Sequence, residues 1–369
     1  MRLLIITQPQ DYHAHAVAWG IEQLGGNTSV WMPSDLPDQC FASIRINSAM
    51  TGADTTIQYN SIRTNLNEFD VIWNRRRGKP SAPAAASPHD IKVIESETSS
   101  HVDNILTILS RDSIFINDPA RQYIADQKAN QLQVALAVGF NIPDTLITNN
   151  FDEAVEFIRD NDPVVCKPYR PHLWRSEKKW YSQMSVIVPP IEKLEREAIE
   201  MCPIILQRQV KRKLEARIIV FGDKIFSAQV VGDLTESDLD SRLAIRQRKS
   251  EFRNITLPPS VESACRQYLG QLGLKFGAFD FIVSEDGDWV FLECNEAGQF
   301  LFLEDRLPNL NILDSFCKYL FSFSTMSPMC GEISLSTQLF EQSEWFANME
   351  IMDSVHKLRQ VNEFSILEA

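Results

Sequence analysis

The sequence predicts an α/β protein: a parallel, βαβ-type sheet at the N-terminus, followed by antiparallel hairpins. Three observations carry this. Residues 2–7 are a short apolar run with β-branched members, residues 13–24 repeat Val17, Ile21 and Leu24 at helical spacing before Gly25-Gly26, and Val30-Trp31-Met32 is apolar again; strand, helix and strand in that order make a parallel unit. Strand-like and helix-like runs keep alternating to about residue 167. Beyond residue 204 the pattern becomes paired apolar runs around Gly-Asp and Asp-Gly turns, which are hairpins.

The chain has 369 residues, 44% hydrophobic and 23% charged, enough for one large or two to three small units with ordinary cores. A net charge of −13 and a pI near 5.0 argue against a general nucleic-acid surface. Seven cysteines (Cys40, Cys166, Cys202, Cys265, Cys294, Cys317 and Cys330) are scattered without a C-x-x-C pair. Buried, reduced thiols in a cytoplasmic protein are the expectation. The opening MRLLIITQPQ is too short an apolar run for a signal peptide, and no run approaches the ~18 apolar residues of a membrane span.

No G-x-G-x-x-G follows the first strand, so dinucleotide binding is not supported. His13 and His15 at i, i+2 lack a third ligand and read as an exposed loop. Residues 69–74 form another strand, followed at once by Arg75-Arg76-Arg77-Gly78-Lys79-Pro80. A charge run is usually a solvated loop, but open α/β sheets present ligands at the carboxyl ends of their strands. An Ala/Pro/Ser-rich loop covers residues 81–87, an amphipathic helix residues 91–109, a strand residues 114–116, and a helix residues 120–138, which include Lys128. A turn and strand (141–149), a helix (151–159) and the strand Val164-Val165-Cys166-Lys167 follow. Residues 169–181 are dense in Arg, Lys and aromatics and contain no glycine.

Ile204-Ile205-Leu206-Gln207-Arg208-Gln209-Val210 reads as a strand, and residues 214–231 as a hairpin around Gly222-Asp223. Glu215 and Arg217, two apart, share a face of its first strand. A helix over residues 261–272 ends at Gly273 and leads into the most informative stretch, GAFDFIVSEDGDWVFLECNEAGQFLFLE (277–304). Two apolar runs flank Ser284-Glu285-Asp286-Gly287-Asp288. Glu293 and Asn295 point to one face, and a turn centred on Asp286 sets Asp280 opposite Leu292 and Glu293. Two carboxylates and an amide oxygen form a hard, all-oxygen donor set suited to Mg²⁺. The surrounding runs are apolar on both faces, where carboxylates are costly without a cation or donor.

With these residues the chain resembles the ATP-grasp ligases, and its Gly298-Gln299-Phe300 continuation with Glu304 resembles the peptide-modifying branch that makes microviridin-type graspetides. The resemblance covers about residues 1–323. It implies an N-terminal α/β pre-ATP-grasp domain (1–119), a small central subdomain (120–203) and a C-terminal subdomain with hinge and metal hairpin (204–323), leaving a tail (324–369) unread. It implies ATP and Mg²⁺, two ions, held by Asp280, Glu293 and Asn295. Lys128 and Lys167 would meet the phosphates, Gln207, Arg208, Gln209 and Val210 the adenine through backbone groups, and Glu215 the ribose. Arg217 and Arg242 (in Asp240-Ser241-Arg242) would face the transferring phosphoryl group. Arg75 and Arg76 would hold an acidic peptide segment, and residues 169–181 would close over the phosphates. The implied activity joins a carboxylate, through an acyl phosphate, to a hydroxyl or amine of a precursor peptide. A ligase of amino acids or small molecules and a non-catalytic nucleotide-binding protein are the alternatives, and a homodimer is left open.

Overall fold

The computed structural model describes residues 1–170, 172–176, 179–183, 185–231, 251–324 and 334–352. The chain opens with β1 (Arg2–Ile6), α1 (Tyr12–Gln23) and β2 (Asn27–Trp31). Asp11 caps α1 by accepting from His13 N, and the helix stops where Gly25 takes φ +81°. An antiparallel meander of β3 (Cys40–Arg45), β4 (Asp54–Tyr59) and β5 (Ile62–Asn65) follows, in a stretch where the sequence suggested no element. Then come β6 (Val71–Asn74), α2 (Ile91–Leu109) and β7 (Ile114–Ile116). The sheet order is β2-β1-β6-β7, parallel throughout, and Leu3, Leu4, Ile5 and Ile6 are all buried because both faces are covered.

The single helix expected over residues 120–138 is two, α3 (Pro119–Ala125) and α4 (Lys128–Ala137). Gln127 leaves the helical region at ψ 109°, and Asn130 Nδ2 and Gln131 Nε2 donate to the freed carbonyls of Ile124 (3.1 Å) and Ala125 (2.7 Å). Next are β8 (Thr145–Thr148), α5 (Phe151–Asn161), β9 (Val164–Lys167), β10 (His172–Ser176), β11 (Lys179–Gln183), β12 (Val186–Ile187), α6 (Arg196–Met201) and β13 (Ile204–Arg208). They make an antiparallel sheet, β12-β9-β13-β8, and a separate β10–β11 hairpin. The glycine-free stretch 169–181 therefore contains β10 and the start of β11.

The last part comprises β14 (Arg212–Phe221), β15 (Lys224–Val231), β16 (Glu251–Asn254), α7 (Pro259–Leu272), β17 (Phe276–Ser284), β18 (Trp289–Asn295), α8 (Phe302–Arg306) and α9 (Ile312–Phe321). Its sheet runs β16-β15-β14-β17-β18, all antiparallel. Alternate residues of β14 enter different cores. Ile219 and Phe221 pack with α1, α9 and the N-terminal sheet, whereas Ile218 and Val220 pack with α4, α7 and Phe140. The sheet is thus covered on both sides.

The tail docks on the chain's own surface. α10 (Thr337–Glu341) and α11 (Glu344–Met352) lie against α1, and Leu335 and Phe340 are fully buried in the core that α1 shares with α9.

Candidate active site

Three neighbouring strands each contribute one residue to a row. Arg217 of β14 is directly opposite Asp280 of β17, and Asp280 is opposite Glu293 of β18, with an irregularity immediately after Asp280. Asn295, two residues on from Glu293, projects on the same side. Its Nδ2 donates to Glu293 Oε1 at 3.0 Å and reaches Asp280 Oδ2 at 3.4 Å, so the three expected ligands converge.

Cations close the row at both ends. Arg217 Nη1 donates to both oxygens of Asp280, at 2.7 and 2.8 Å, and its Nη2 to Gln299 O at 2.9 Å. Lys128, the first residue of α4, donates from Nζ to Glu293 Oε2 at 2.8 Å. Burial pulls the Lys128 ammonium down, but the Glu293 carboxylate outweighs this and holds its pKa above the usual value. Burial pushes Glu296, just beyond Asn295, up to about 7.

The loop after β18 is held from several directions. Glu296 O and Phe276 O both accept from Asn117 Nδ2, at 2.9 and 2.8 Å, while Asn117 Oδ1 accepts from Lys275 N and Phe276 N. Ala297 O accepts from Arg75 Nη1. Gly298 is sterically required: a Cβ there would lie 2.6 Å from Ala278 Cβ and 2.8 Å from Arg217 Nη2. His13 Nε2 accepts from Phe300 N at 2.9 Å and Leu301 N at 3.1 Å.

Two sequence readings are corrected by this geometry. His13 and His15 are not in an exposed loop but buried in the first turn of α1. Burial, reinforced by Arg75, pushes His13 down to about 3, so it is a neutral acceptor for two backbone amides. Arg75 does not stand out as a solvent-facing peptide ligand. It is 1% exposed, its Nε 3.5 Å from Asp11 Oδ2. Burial brings it down to about 10, so it stays charged. Asp11, against the opposing effect of burial, is held below the usual carboxylate range by Arg75. Following a buried strand and meeting a buried acid, the arginine turns inward; Arg76 is half-buried and Arg77 is exposed beside Asp103.

The nucleotide candidates sit on the smaller sheet and the start of β14. Lys167 ends β9, half-buried, opposite Ile205 of β13. Gln207 is 4% exposed; its Nε2 donates to Thr145 Oγ1 at 3.0 Å and its Oε1 has no partner among the described residues. A buried acceptor of this kind suits a ligand N–H donor. The expected backbone hinge is narrower than the sequence suggested, because Arg208 N already donates to Asp144 O (2.9 Å) and Gln209 N to Pro163 O (2.8 Å). Val210 is half-buried just after β13. Glu215 is half-buried and accepts from Arg212 Nη1 at 2.6 Å. Arg242 lies outside the described residues.

Among the described residues no group of three His, Cys, Asp or Glu side chains could hold a metal ion alone. Two carboxylates and one amide oxygen are nevertheless the kind of donor set that Mg²⁺ uses when phosphate oxygens and water complete its octahedron, so the residues present fit that ion. No helix of the described residues is long and apolar enough to cross a membrane, and every described cysteine is free.

No family model matches the sequence, and no curated protein matches it. Solved structures do. A RiPP-associated ATP-grasp ligase of Chryseobacterium gregarium, in complex with ADP and a leader and core peptide, matches with a TM-score of 0.76 at 23% identity, covering 86% of this chain and 96% of that one. The macrocyclase MdnC of Microcystis aeruginosa MRC, bound to the precursor peptide MdnA, matches at 0.76 and 22% identity, covering 88% and 100%. MdnB, a macrocyclase of the same organism, matches at 0.73 and 26% identity, covering 86% and 98%. The chain has the ATP-grasp fold, and its resemblance to the graspetide ligases extends from motifs to architecture.

Proposed function

We propose that the chain is an ATP-dependent carboxylate ligase that macrocyclises a ribosomally made precursor peptide through side-chain ester or amide bonds, releasing ADP. The observation that carries this is the row Arg217–Asp280–Glu293–Lys128, with Asn295 across it, on an ATP-grasp fold. Bound Mg²⁺ would neutralise charge on the phosphates and polarise the transferring phosphoryl group. Asp280, Glu293 and Asn295 would supply its oxygen ligands. Lys128 and Arg217 already touch those carboxylates, which puts both cations within reach of anionic phosphate oxygens beside them. Lys167 would add positive charge from the smaller sheet, Gln207 would pair through its buried Oε1, and Glu215 would bind the ribose hydroxyls, exchanging its Arg212 contact. Arg242 is carried in the same role as Arg217, facing the phosphoryl group.

The chemistry follows from these charges. A substrate carboxylate attacks the terminal phosphorus and ADP leaves; a hydroxyl or amine of the peptide then attacks the acyl carbon, losing its proton, and phosphate leaves. The net change in the peptide is one water per ring. Fixed cations aimed at the transferring group are the protein's main contribution. Arg76, half-buried two residues beyond β6, remains the candidate for an acidic peptide segment, and Arg75, buried beneath it, is carried with it as proposed. Division at residues 119, 203 and 323, and a reduced cytoplasm as the compartment, belong to the same reading.

The peptide reading is favoured over a small-molecule ligase by the macrocyclase neighbours, of which MdnB is 26% identical over 98% of its length. The intact donor set weighs against a non-catalytic binder. The test is mass spectrometry of a candidate acidic, Thr/Ser- or Lys-containing precursor after incubation with the protein, ATP and Mg²⁺. Loss of one water per ring together with ADP formation is expected. ADP formation driven by a free amino acid, with every peptide unmodified, would favour the small-molecule ligase instead.

A further inference from the structure

The tail grips two elements that flank the loop after the metal hairpin. Glu304, in α8, is 1% exposed. Its Oε2 accepts from Leu313 N at 2.7 Å and its Oε1 from Thr337 N, the first residue of α10, at 2.9 Å. Burial pushes Glu304 up and those backbone donors oppose the shift. A buried carboxylate persists only where donors satisfy it, and one of these two donors comes from the tail.

The second grip is on α1. Phe340 is fully buried, its ring centroid 5.4 Å from that of Tyr12 and 5.7 Å from that of Trp19. Tyr12 Oη donates to Glu341 Oε1 at 3.2 Å. Tyr12 immediately precedes His13, the residue that takes the amides of Phe300 and Leu301. Leu335 is fully buried against Gly20, where a Cβ would lie 3.2 Å from Leu335 Cδ1, and Leu335 N donates to Asp314 Oδ1 at 3.2 Å. The apolar seat lies on α1, and the polar locks fall on α1, α8 and α9; α8 follows residues 296–301 in the chain and α1 meets them through His13. The solved neighbours are covered over 96–100% of their own length yet reach only 86–88% of this chain, so this chain carries residues they lack.

We propose that residues 334–352 are a built-in brace for the loop after the metal hairpin. Seated on α1 and on Glu304, the tail keeps residues 296–301 where the Ala297 and Gln299 carbonyls hold Arg75 and Arg217. It therefore sets turnover more than nucleotide affinity. The turnover part rests on the ligase reading; the mechanical coupling does not. Tail residues act through Glu304 and His13 and are positioning residues.

Thr337→Pro in the full chain tests the coupling with the least disturbance. Proline suits the first residue of a helix, and Ser336 already has the extended backbone (φ −149°, ψ 158°) required before it, so the losses are the amide that Glu304 accepts and the Thr337 side-chain hydrogen bond to Asp305, both grips on α8. Phe340→Ala empties the apolar seat and Phe340→Leu refills most of it. Hydrogen exchange read by mass spectrometry should show the amides of Phe300, Leu301 and Leu313 exchanging about tenfold faster or more in Thr337→Pro and Phe340→Ala, and returning toward wild type in Phe340→Leu. In the same variants kcat for ADP formation with precursor peptide should fall about fivefold or more while KM for ATP stays within about twofold. Should Phe340→Ala fail to fold, Thr337→Pro decides alone. Exchange rising in residues 334–341 but not in 296–304, or unchanged kcat with an opened tail, overturns the brace. An inactive wild type would sink the ligase reading, yet the exchange arm would still decide the coupling.

Discussion

The two sides of the candidate site are built differently. The β17–β18 hairpin belongs to a sheet with a core on each face, and the loop after it is held by Arg75, His13, Asn117 and Arg217, three of them from the N-terminal sheet or its helix α1. The small sheet with Lys167 and Gln207 rests on Ala154, Ile158, Val164, Ile199 and Leu206. Just before β8, Asn141 bridges to Val290, with Phe291 N donating to Asn141 O at 2.8 Å, and so ties the start of this sheet to the hairpin side. Local opening costs least where few apolar contacts must be broken, so the small sheet is the side that opens at lower cost. The lesson is that the row of Asp280, Glu293 and Asn295 is fixed in place from one side only.

The largest effect should come from breaking the fixed side at its buried charge. Arg75→Ala leaves Asp11 buried beside neutral His13, and should cost about 3–5 kcal/mol of stability, read as a lower urea midpoint. An unchanged midpoint would mean that Arg75 is not part of the frame. Next is Glu293→Ala, expected to lower ADP formation at least about a hundredfold with the fold retained, as loss of a preorganised electrostatic group does. Near wild-type turnover would remove Glu293 from the ligand set.

On the lightly packed side the losses should be smaller and confined to binding. Lys167→Ala and Glu215→Ala should each weaken ATP about tenfold, the worth of one charge-assisted hydrogen bond, without changing the unfolding free energy by more than about a few tenths of a kcal/mol. Calorimetry with unchanged affinity in both variants would place the nucleotide elsewhere. The remaining test is a pH slope. His13 has a pKa near 6.5 when unfolded and about 3 when folded, so between those values the unfolded chain binds the extra proton and stability falls as pH drops. His13→Gln keeps an acceptor for Phe300 and Leu301 but does not titrate, so it should flatten unfolding free energy between about pH 6 and 4. A variant slope matching wild type would assign the acid loss to other groups.

Much of the fold was legible because it is written in local periodicity. Residues 91–109 repeat apolar positions at helical spacing and form α2 over that same span, and Asp-Gly between two apolar runs makes the β17–β18 hairpin with Asp280 opposite Glu293. The meander β3–β5 was missed because its alternation is diluted: Cys40, Ala42 and Ile44 face one way, but Phe41 and Ile62, both exposed, blur the polar side. The break between α3 and α4 depends on two amide side chains capping carbonyls six residues back, which apolar periodicity does not register.

What the sequence by itself determined is the N-terminal βαβ unit, the two-faced burial of the hairpin and the convergence of Asp280, Glu293 and Asn295, because each follows from spacing within one or two adjacent elements. Only the tertiary structure decided what surrounds them. Arg75 and His13 lie more than 200 residues from the carbonyl and amides they hold, and no local pattern separates an arginine that faces solvent from one that meets a buried aspartate. The same holds for the tail, whose helices are short and weakly marked. Their position follows from Glu304 having lone pairs to fill and α1 having an apolar face to cover, and both requirements arise only once the rest of the chain has packed.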